Sequence, residues 1–184
     1  MYVYDFDGTI YDGDSTVRFY LYVLRKKPAV IRHIPRQLFA MLCYKFGKLS
    51  KTEMKQHFFC FVKGLPIEKM AADFWQENRK RIRKWYLEQR RTDDVVISAS
   101  PEFLLKPICT ELDVRLLASQ VDPHTGVFLS KNCRGQEKVR RFRQAYPDAV
   151  VERFYSDSES DRPMAELAEA AFLIRKGIPE LWTG

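Results

Sequence analysis

Two aspartates one residue apart are the first feature of this chain that could do chemistry. Asp5 and Asp7 follow a short apolar run, Met1 to Tyr4, and precede Gly8 and Thr9. The run is typical of a buried strand. Carboxylates this close repel each other unless a cation lies between them, and hard oxygen ligands suit Mg²⁺. Asp7-Gly8 favours a turn whose backbone N–H groups can hold an anion, although an Asp-rich turn without function fits the same letters.

Polar groups also follow the later predicted strands. The strand over Val95–Ser98 runs into a serine-rich helix start that suits a phosphate, and the strand over Val150–Tyr155 is followed by an acidic run. The groups singled out at these strand ends are Ser98, the backbone of Ala99, Asp157 and Asp161. Lys138 lies near the start of the helix after the predicted hairpin, where its ammonium could reach an anion. Working residues of an open α/β sheet collect at the carboxyl ends of its strands, so we expect these groups to lie near Asp5 and Asp7.

Strand and helix patterns alternate only in part of the chain. Residues 92–184 alternate, which predicts a parallel sheet covered on both faces, and the first strand belongs with them. Residues 14–91 are predicted to be entirely helical. The segment 18–91 holds 19 Lys and Arg against 5 Asp and Glu, a net charge of +14, while the rest holds 12 against 19, a net of −7. We therefore predict an α/β core over 1–13 and 92–184, with a helical domain over 14–91 inserted after the first strand.

Capping and periodicity predict the individual elements. Asp14 caps a first helix, and Ser50 with Glu53 forms a capping box. The remaining expectations are a helix over 37–46, one long helix from Pro66 through Leu87, a helix over 101–112, a hairpin over 121–129, a helix over 136–146, a helix over 162–170 and a strand over 171–174.

Composition excludes several classes of protein. The four cysteines lack CxxC spacing, so zinc and a disulfide framework are not expected, and the thiols suit a reducing cytosol. No signal peptide is predicted, because a strand pattern begins at Met1. The apolar region 28–46 is interrupted by basic residues and is not a spanning helix. The predicted location is cytoplasmic.

The ordered motifs resemble a known family. Asp5-x-Asp7-Gly8-Thr9, Ser98, Lys138 and Asp157 with Asp161 resemble the haloacid dehalogenase-like (HAD) superfamily, and the helical insertion resembles its type-one (C1) cap. Segments 97–101, 132–138 and 155–158 are similar to subfamily IB, which contains phosphoserine phosphatase-like enzymes and bacterial phosphatidylglycerophosphatase C. The resemblance covers essentially the whole core and implies a Rossmann-like fold. The cap matches only in position and helical character.

The resemblance implies a phosphatase that works through an aspartyl-phosphate. Asp5 would be the nucleophile, and Asp7 would be the general acid and base. Asp5, the backbone carbonyl of Asp7 and Asp157 would hold Mg²⁺. Lys138 would stabilise transition-state charge.

Further positions would support the phosphate and the metal. Ser98, Ala99, Gly8 and Thr9 would complete the phosphate site, with Thr9 bonding locally to position the loop of Asp7. Asp161 would orient the metal shell or Lys138.

The substrate stays open between a small phosphometabolite and a lipid phosphate such as phosphatidylglycerophosphate. Phosphoserine is a less favoured alternative, because Asp14 replaces the usual glutamate nine residues after the nucleophile and no partner arginine is evident. A dehalogenase is still less favoured, because its chemistry does not need the second aspartate, Asp7. A phosphonatase needs a Schiff-base lysine, for which the sequence offers no clear candidate.

Basic residues interleave with apolar ones in the cap. They are Arg25, Lys26, Lys27, Arg32, Arg36, Lys45 and Lys48, among Phe39, Met41, Leu42, Tyr44 and Phe46. The favoured interpretation is an apolar stripe packed inward beneath solvated charges. The alternative is peripheral contact with an anionic membrane, at its inner face. A hypothesis of another class is a non-catalytic basic module for membrane or RNA; nucleic acid is not favoured, and the oligomeric state is not predicted.

Overall fold

A six-stranded sheet forms the centre of the computed structural model, which describes residues 1–183. The strands are β1 (Tyr2–Tyr4), β2 (Val95–Pro101), β3 (Arg115–Ser119), β4 (Val151–Ser156), β5 (Ala168–Arg175) and β6 (Ile178–Leu181). Their order is β3-β2-β1-β4-β5-β6; the first five are parallel, and β6 is antiparallel to β5. Strand order reverses beside β1, so the carboxyl end of β1 opens into the crevice where α/β proteins bind ligands.

Five helices lie between β1 and β2, in the segment predicted to be entirely helical. They are α1 (Ser15–Lys26), α2 (Ile34–Lys45), α3 (Lys51–Phe58), α4 (Ile67–Asn78) and α5 (Lys84–Gln89). Three more follow, namely α6 (Glu102–Glu111), α7 (Gln136–Ala145) and α8 (Arg162–Ala165). The predicted caps are present: the Asp14 carboxylate accepts from the N–H of Val17, and Ser50 and Glu53 form a capping box.

Both faces of the sheet are covered. Val3 packs with Phe142 and Met164 on one face, whereas Tyr4 joins an aromatic cluster on the other. The rings of Tyr4 and Tyr155 stack with centroids 4.8 Å apart. Because successive strand residues point to opposite faces, the apolar run of β1 anchors both layers and fixes where Asp5 emerges.

The prediction of one long helix from Pro66 through Leu87 is wrong, because this segment is not one continuous helix. It divides into α4 and α5, separated by a 3₁₀ turn (Arg79–Arg81) and an extended residue, Ile82. Ile82 pairs with Tyr11, and the N–H of Arg83 donates to the carbonyl of Ile10 at 2.8 Å. Pairing between the segments that leave and re-enter the core outweighs the helical periodicity.

Two predictions near the end of the chain also need correction. The helix predicted over 162–170 stops at Ala165, because Ala168 already pairs with Val151 of β4. Parallel pairing overrides the helix propensity of an alanine- and glutamate-rich stretch. The hairpin predicted over 121–129 contains a single bridge, between Val121 and Phe128.

The prediction that the apolar residues of α2 pack inward is wrong. The residues that α2 buries are Gln37 and Ala40, while most of its large apolar side chains are exposed. Within residues 1–183, no helix is long and apolar enough to cross a membrane. The four cysteines are free thiols, of which Cys43 is partly exposed and the others are buried.

Candidate active site

Asp5 lies where β1 ends, at the crevice. Its N–H donates to the carbonyl of Tyr155 at 2.8 Å, so pairing with β4 continues one residue past the strand. The residue is 8% exposed and lines a cavity of about 600 Å³. Burial raises the pKa of Asp5, and the neighbouring Lys138 partly offsets this. The backbone therefore presents one carboxylate, nearly dry, to the cavity.

Lys138 bridges two carboxylates beneath this cavity. Its Nζ lies 2.6 Å from Asp5 Oδ1 and 2.6 Å from Asp161 Oδ2. The side chain is almost fully buried, which is rare for lysine without paired charge. Burial disfavours its ammonium, but Asp5 and Asp161 outweigh that effect and raise the pKa of Lys138. Ser156 donates to Asp161 Oδ2 at 2.8 Å and fixes that carboxylate in turn.

Asp7 is held from two sides. Its Oδ1 accepts from the N–H of Ser15, at the start of α1, at 2.6 Å, and its Oδ2 accepts from Ser100 Oγ. Burial, reinforced by the charge of Asp14, raises the pKa of Asp7 to about 6. A carboxyl group with such a pKa can give and take a proton near neutral pH, which is the property required of a general acid and base.

The predicted phosphate-binding residues all line the cavity except Thr9. Ser98, Ala99 and Gly8 line the cavity, and the buried Ser98 Oγ accepts from the N–H of Ser100 at 3.1 Å. The N–H of Gly8 donates to the carbonyl of Gly13 at 3.0 Å.

Thr9 does not fit its predicted role. It is fully buried away from the cavity, and its Oγ1 finds no partner among residues 1–183. The structure shows no local hydrogen bond from this hydroxyl within residues 1–183 and leaves the residue outside the lining of the cavity.

The carboxylates fit a hard cation by their chemistry. Burial raises the pKa of Asp5 and Asp7, and partial burial raises the pKa of Asp157, whose side chain still reaches solvent. A cation among these groups would stabilise their ionised forms. A Cβ on Gly8 would lie 2.0 Å from Asp157 Oδ2, so glycine lets this carboxylate approach the loop that follows Asp7. Within residues 1–183, no three His, Cys, Asp or Glu side chains already form a metal site. The predicted set needs only two carboxylates, because Asp7 contributes its backbone carbonyl.

Lys55 is a site residue that the sequence analysis missed. Its Nζ donates to the carbonyl of Ala99 at 2.9 Å and to Asn132 Oδ1 at 3.0 Å. Burial lowers the pKa of Lys55, opposed by the charges of Asp14, Asp7 and Asp5. The cap thus supplies a lysine to the cavity, and the ammonium of this lysine is hydrogen-bonded to two acceptors of the core.

A helical stripe could have revealed Lys55. The side chains at positions 51, 54, 55 and 58 of α3 all line the cavity, and this spacing marks one face of a helix. The capping box at Ser50 fixes where that helix starts. Lys55 shares the stripe with Met54 and Phe58, so their apolar character locates the face that turns toward the core.

The cavity has a polar floor and a mixed cap wall. The core supplies the carboxylates, Ser98, Ser100, Arg134 and Lys138. The cap supplies the apolar Val17, Met41, Met54 and Phe58, together with Lys51 and Lys55. Asp14, besides capping α1, also lines this space. The site can thus hold an anion at its floor and a partly apolar group against the cap.

The sheet order and the buried carboxylates at its switch point define a Rossmann-like α/β enzyme with a helical insertion. The family model of the haloacid dehalogenase-like hydrolases matches residues 2–166, from β1 through α8. The chain belongs to this family of hydrolases, as the motifs predicted. No curated protein sequence matches it.

Solved structures share the fold at low identity. A protein of unknown function from Bordetella pertussis Tohama I is 18% identical, with a TM-score of 0.75 over 94% of this chain and 88% of its own. A phosphoserine phosphohydrolase-like protein from Francisella tularensis subsp. tularensis SCHU S4 is 16% identical, with a TM-score of 0.60 over 94% and 87%. Phosphoserine phosphatase from T. onnurineus is 21% identical, with a TM-score of 0.53 over 93% and 81%. These likenesses confirm the predicted fold class.

Proposed function

We propose that the protein is a Mg²⁺-dependent phosphatase that hydrolyses a phosphomonoester through an aspartyl-phosphate. One observation carries the proposal: the buried Asp5–Lys138–Asp161 arrangement lies beside Asp7 at the floor of one cavity. Membership of a hydrolase family and a fold shared with phosphoserine phosphatases support the same chemistry.

Two aspartates divide the proposed reaction. A carboxylate oxygen of Asp5 attacks phosphorus, the bond from phosphorus to the leaving oxygen breaks, and Asp7 gives its proton to the departing alkoxide. Asp7 then takes a proton from water, whose oxygen attacks the aspartyl-phosphate and restores Asp5 with release of phosphate. The pKa of about 6 for Asp7 suits both proton transfers.

Lys138 and Ser98 are proposed to bind phosphoryl oxygens. The Lys138 ammonium is already fixed by Asp5 and Asp161, so it needs little reorganisation as negative charge develops. Asp161 acts by holding Lys138 in place.

The proposed Mg²⁺ ligands are Asp5, the carbonyl of Asp7 and Asp157. When bound there, Mg²⁺ would neutralise the approach of an anionic nucleophile to an anionic phosphate. Two observations support this assignment: the pKa of Asp5 and Asp157 is raised, so a cation would stabilise their ionised forms, and Gly8 leaves room for the Asp157 carboxylate.

The proposed substrate is a small phosphometabolite or a lipid phosphate, met in the cytoplasm or at the inner face of a membrane. The apolar part of the cap wall favours a partly apolar leaving group. Phosphoserine is less favoured: the carboxylate of Asp14 is engaged by the N–H of Val17, and the cap cations at the cavity are Lys51 and Lys55.

Phosphate release with Mg²⁺ or with EDTA tests the proposal. The panel contains phosphoserine, sugar phosphates, nucleotides and micellar phosphatidylglycerophosphate. We expect Mg²⁺-dependent release from at least one compound and none from Asp5→Asn, with Asp12→Asn, an exposed aspartate outside the cavity, as the control. Release that survives in Asp5→Asn would remove Asp5 as the nucleophile. Silence across the panel, with ligand binding that survives loss of Asp5, would favour a non-catalytic basic module instead.

A further inference from the structure

Helix α2 is inverted relative to an ordinary helix of a globular protein. Its inward contacts come from the buried Gln37 and Ala40. The Gln37 side chain accepts from Tyr20 Oη at 2.6 Å and donates to the carbonyl of Phe58 at 2.9 Å, so a polar group ties α2 to its neighbours. A surface helix normally turns its apolar stripe to the core and its polar face to water.

The outward face of α2 is largely apolar. Leu38, Phe39, Met41, Leu42, Tyr44 and the following Phe46 are between 42% and 69% exposed. A monomeric protein rarely leaves such a group of large side chains together in water unless the surface binds something. The exposed face of α2 therefore needs a partner that can cover apolar side chains.

The charge around α2 indicates what the partner is. Residues 15–52 contain nine Lys and Arg and no Asp or Glu. Directly before α2, a cavity of about 210 Å³ is lined by the basic side chains of Lys26, Lys27, Arg32, His33 and Lys63. An apolar ridge flanked by cations fits a surface that is apolar inside and anionic at its boundary.

We propose that α2 docks the protein on an anionic lipid bilayer. Its apolar side chains enter the boundary between headgroups and acyl chains, and the flanking cations meet anionic headgroups. A second copy of this chain is a poorer occupant, because a symmetric pair through this face would bring like charges together.

The docking face is continuous with the candidate active site. Met41 and Val17 are exposed, and both also line the cavity that contains Asp5. Docking would therefore turn the mouth of the cavity toward the bilayer. Resting on the proposed phosphatase activity, this step names the substrate class as a phosphomonoester carried by a membrane lipid.

Vesicle binding without catalysis tests the docking face. The full chain is sedimented with vesicles of phosphatidylcholine and phosphatidylglycerol, and with phosphatidylcholine alone, in the absence of any phosphomonoester. We expect binding to the anionic vesicles that weakens with salt. The variant Phe39→Gln, Leu42→Gln, Phe46→Gln should bind about tenfold or more weakly. The variant Lys45→Gln, Lys48→Gln should lose about fivefold per charge.

Matched controls remove the same chemistry elsewhere. Leu129→Gln with Ile178→Gln removes exposed apolar groups, and Lys106→Gln with Lys131→Gln removes exposed charge; both should bind as the parent does. Circular dichroism establishes that each variant is folded.

Several outcomes would overturn the proposal. They are vesicle binding unchanged in the α2 variants, a concentration-dependent dimer that those variants abolish, and salt-sensitive binding to RNA in place of vesicles. Since these vesicles contain no substrate, failure to dock is separate from failure of the phosphatase, which the phosphate-release panel measures.

Discussion

Lys138 is the residue on which the charge balance of the site depends. One buried ammonium lies 2.6 Å from both Asp5 and Asp161, so a single cation faces two carboxyl groups in a nearly dry place. Ser156 donates a hydrogen bond to Asp161, but Lys138 is the cation that contacts both carboxyl groups. The burial of Asp5 and Asp161 side by side is therefore stable only while Lys138 remains between them.

The variant Lys138→Met should therefore be strongly destabilised. It leaves two buried carboxylates without their cation, which typically costs roughly 3–5 kcal/mol at neutral pH. Urea unfolding at pH 7 measures the loss, and Lys69→Met, at an exposed lysine of α4, should change stability little. Equal stability of the two variants would mean that Asp5 and Asp161 do not depend on Lys138 for their charge.

Gly8 tests the approach of Asp157 to the loop after Asp7. In Gly8→Ala the new methyl group would collide with the Asp157 carboxylate, so we expect activity to fall by roughly tenfold or more and to need more Mg²⁺. The Mg²⁺ concentration at half-maximal phosphate release is the measurement.

Gly64→Ala is the matched control for this change. Gly64 has φ +74 against φ +71 at Gly8, but a methyl group added at Gly64 would meet nothing within 4 Å. The two variants carry the same backbone strain, so only the collision with Asp157 differs. A similar Mg²⁺ requirement in both would show that strain, not displacement of Asp157, causes the effect.

Helix α3 connects the cap to the carboxyl end of the core sheet. Lys55 donates to the carbonyl of Ala99 and to Asn132, and the single hydroxyl of Ser119 lies 3.1 Å from the same two acceptors. One cap side chain thus contacts the carboxyl end of β2 and the segment that precedes α7. This contact links α3 directly to the core at the cavity.

Loss of this contact should impair the reaction more than the fold. For Lys55→Met we expect kcat/KM to fall about tenfold or more, because a hydrogen bond from a charged group contributes about 1.5–3 kcal/mol. Lys55→Arg should restore part of the loss. Steady-state kinetics separate kcat from KM, with Lys69→Met as the unaffected control. Unchanged kinetics in Lys55→Met would make the contact incidental.

At the level of elements, the sequence predicted what local patterns determine. The helix-capping residues Asp14, Ser50 and Glu53 predicted the starts of two helices correctly. The apolar run of β1 identified the central strand. The break at Ile82 and the early start of β5 at Ala168 could not be predicted locally. Both follow from pairing with distant segments, at Tyr11 and at Val151.

The candidate site divides in the same way. Asp5, Lys138 and Asp161 come from separate elements, and only their order and motif context predicted that they would meet. Lys55 shares a helical stripe with Met54 and Phe58, but that stripe does not show which core groups its ammonium would contact. The role of Lys55 depends on the packing of α3 against the core.

At the level of the molecule, cap and core share one hydrophobic cluster. Trp75 of α4 donates from Nε1 to the carbonyl of Leu104 in α6 at 2.6 Å, and Tyr86 of α5 packs edge-on against Tyr4 of β1 with ring centroids 5.0 Å apart. The core and the proposed cap over 14–91 thus differ in net charge and in their place along the chain. They do not form two separate hydrophobic interiors.

A shared interior implies that cap and core unfold together. We expect one transition in urea, with hydrogen exchange in α1 and β2 converging on the same opening free energy. Trp75→Ala should lower the stability of both by roughly 3–5 kcal/mol, because it removes a large buried side chain and leaves the carbonyl of Leu104 without its indole donor. Val17→Ala, at an exposed site on α1, is the control. If Trp75→Ala instead destabilised α1 while β2 kept its protection, the cap would be an independent unit and its motion could open the cavity without disturbing the sheet. A single transition would mean that the cap wall is fixed in place by the same contacts that hold Asp5 at the end of β1.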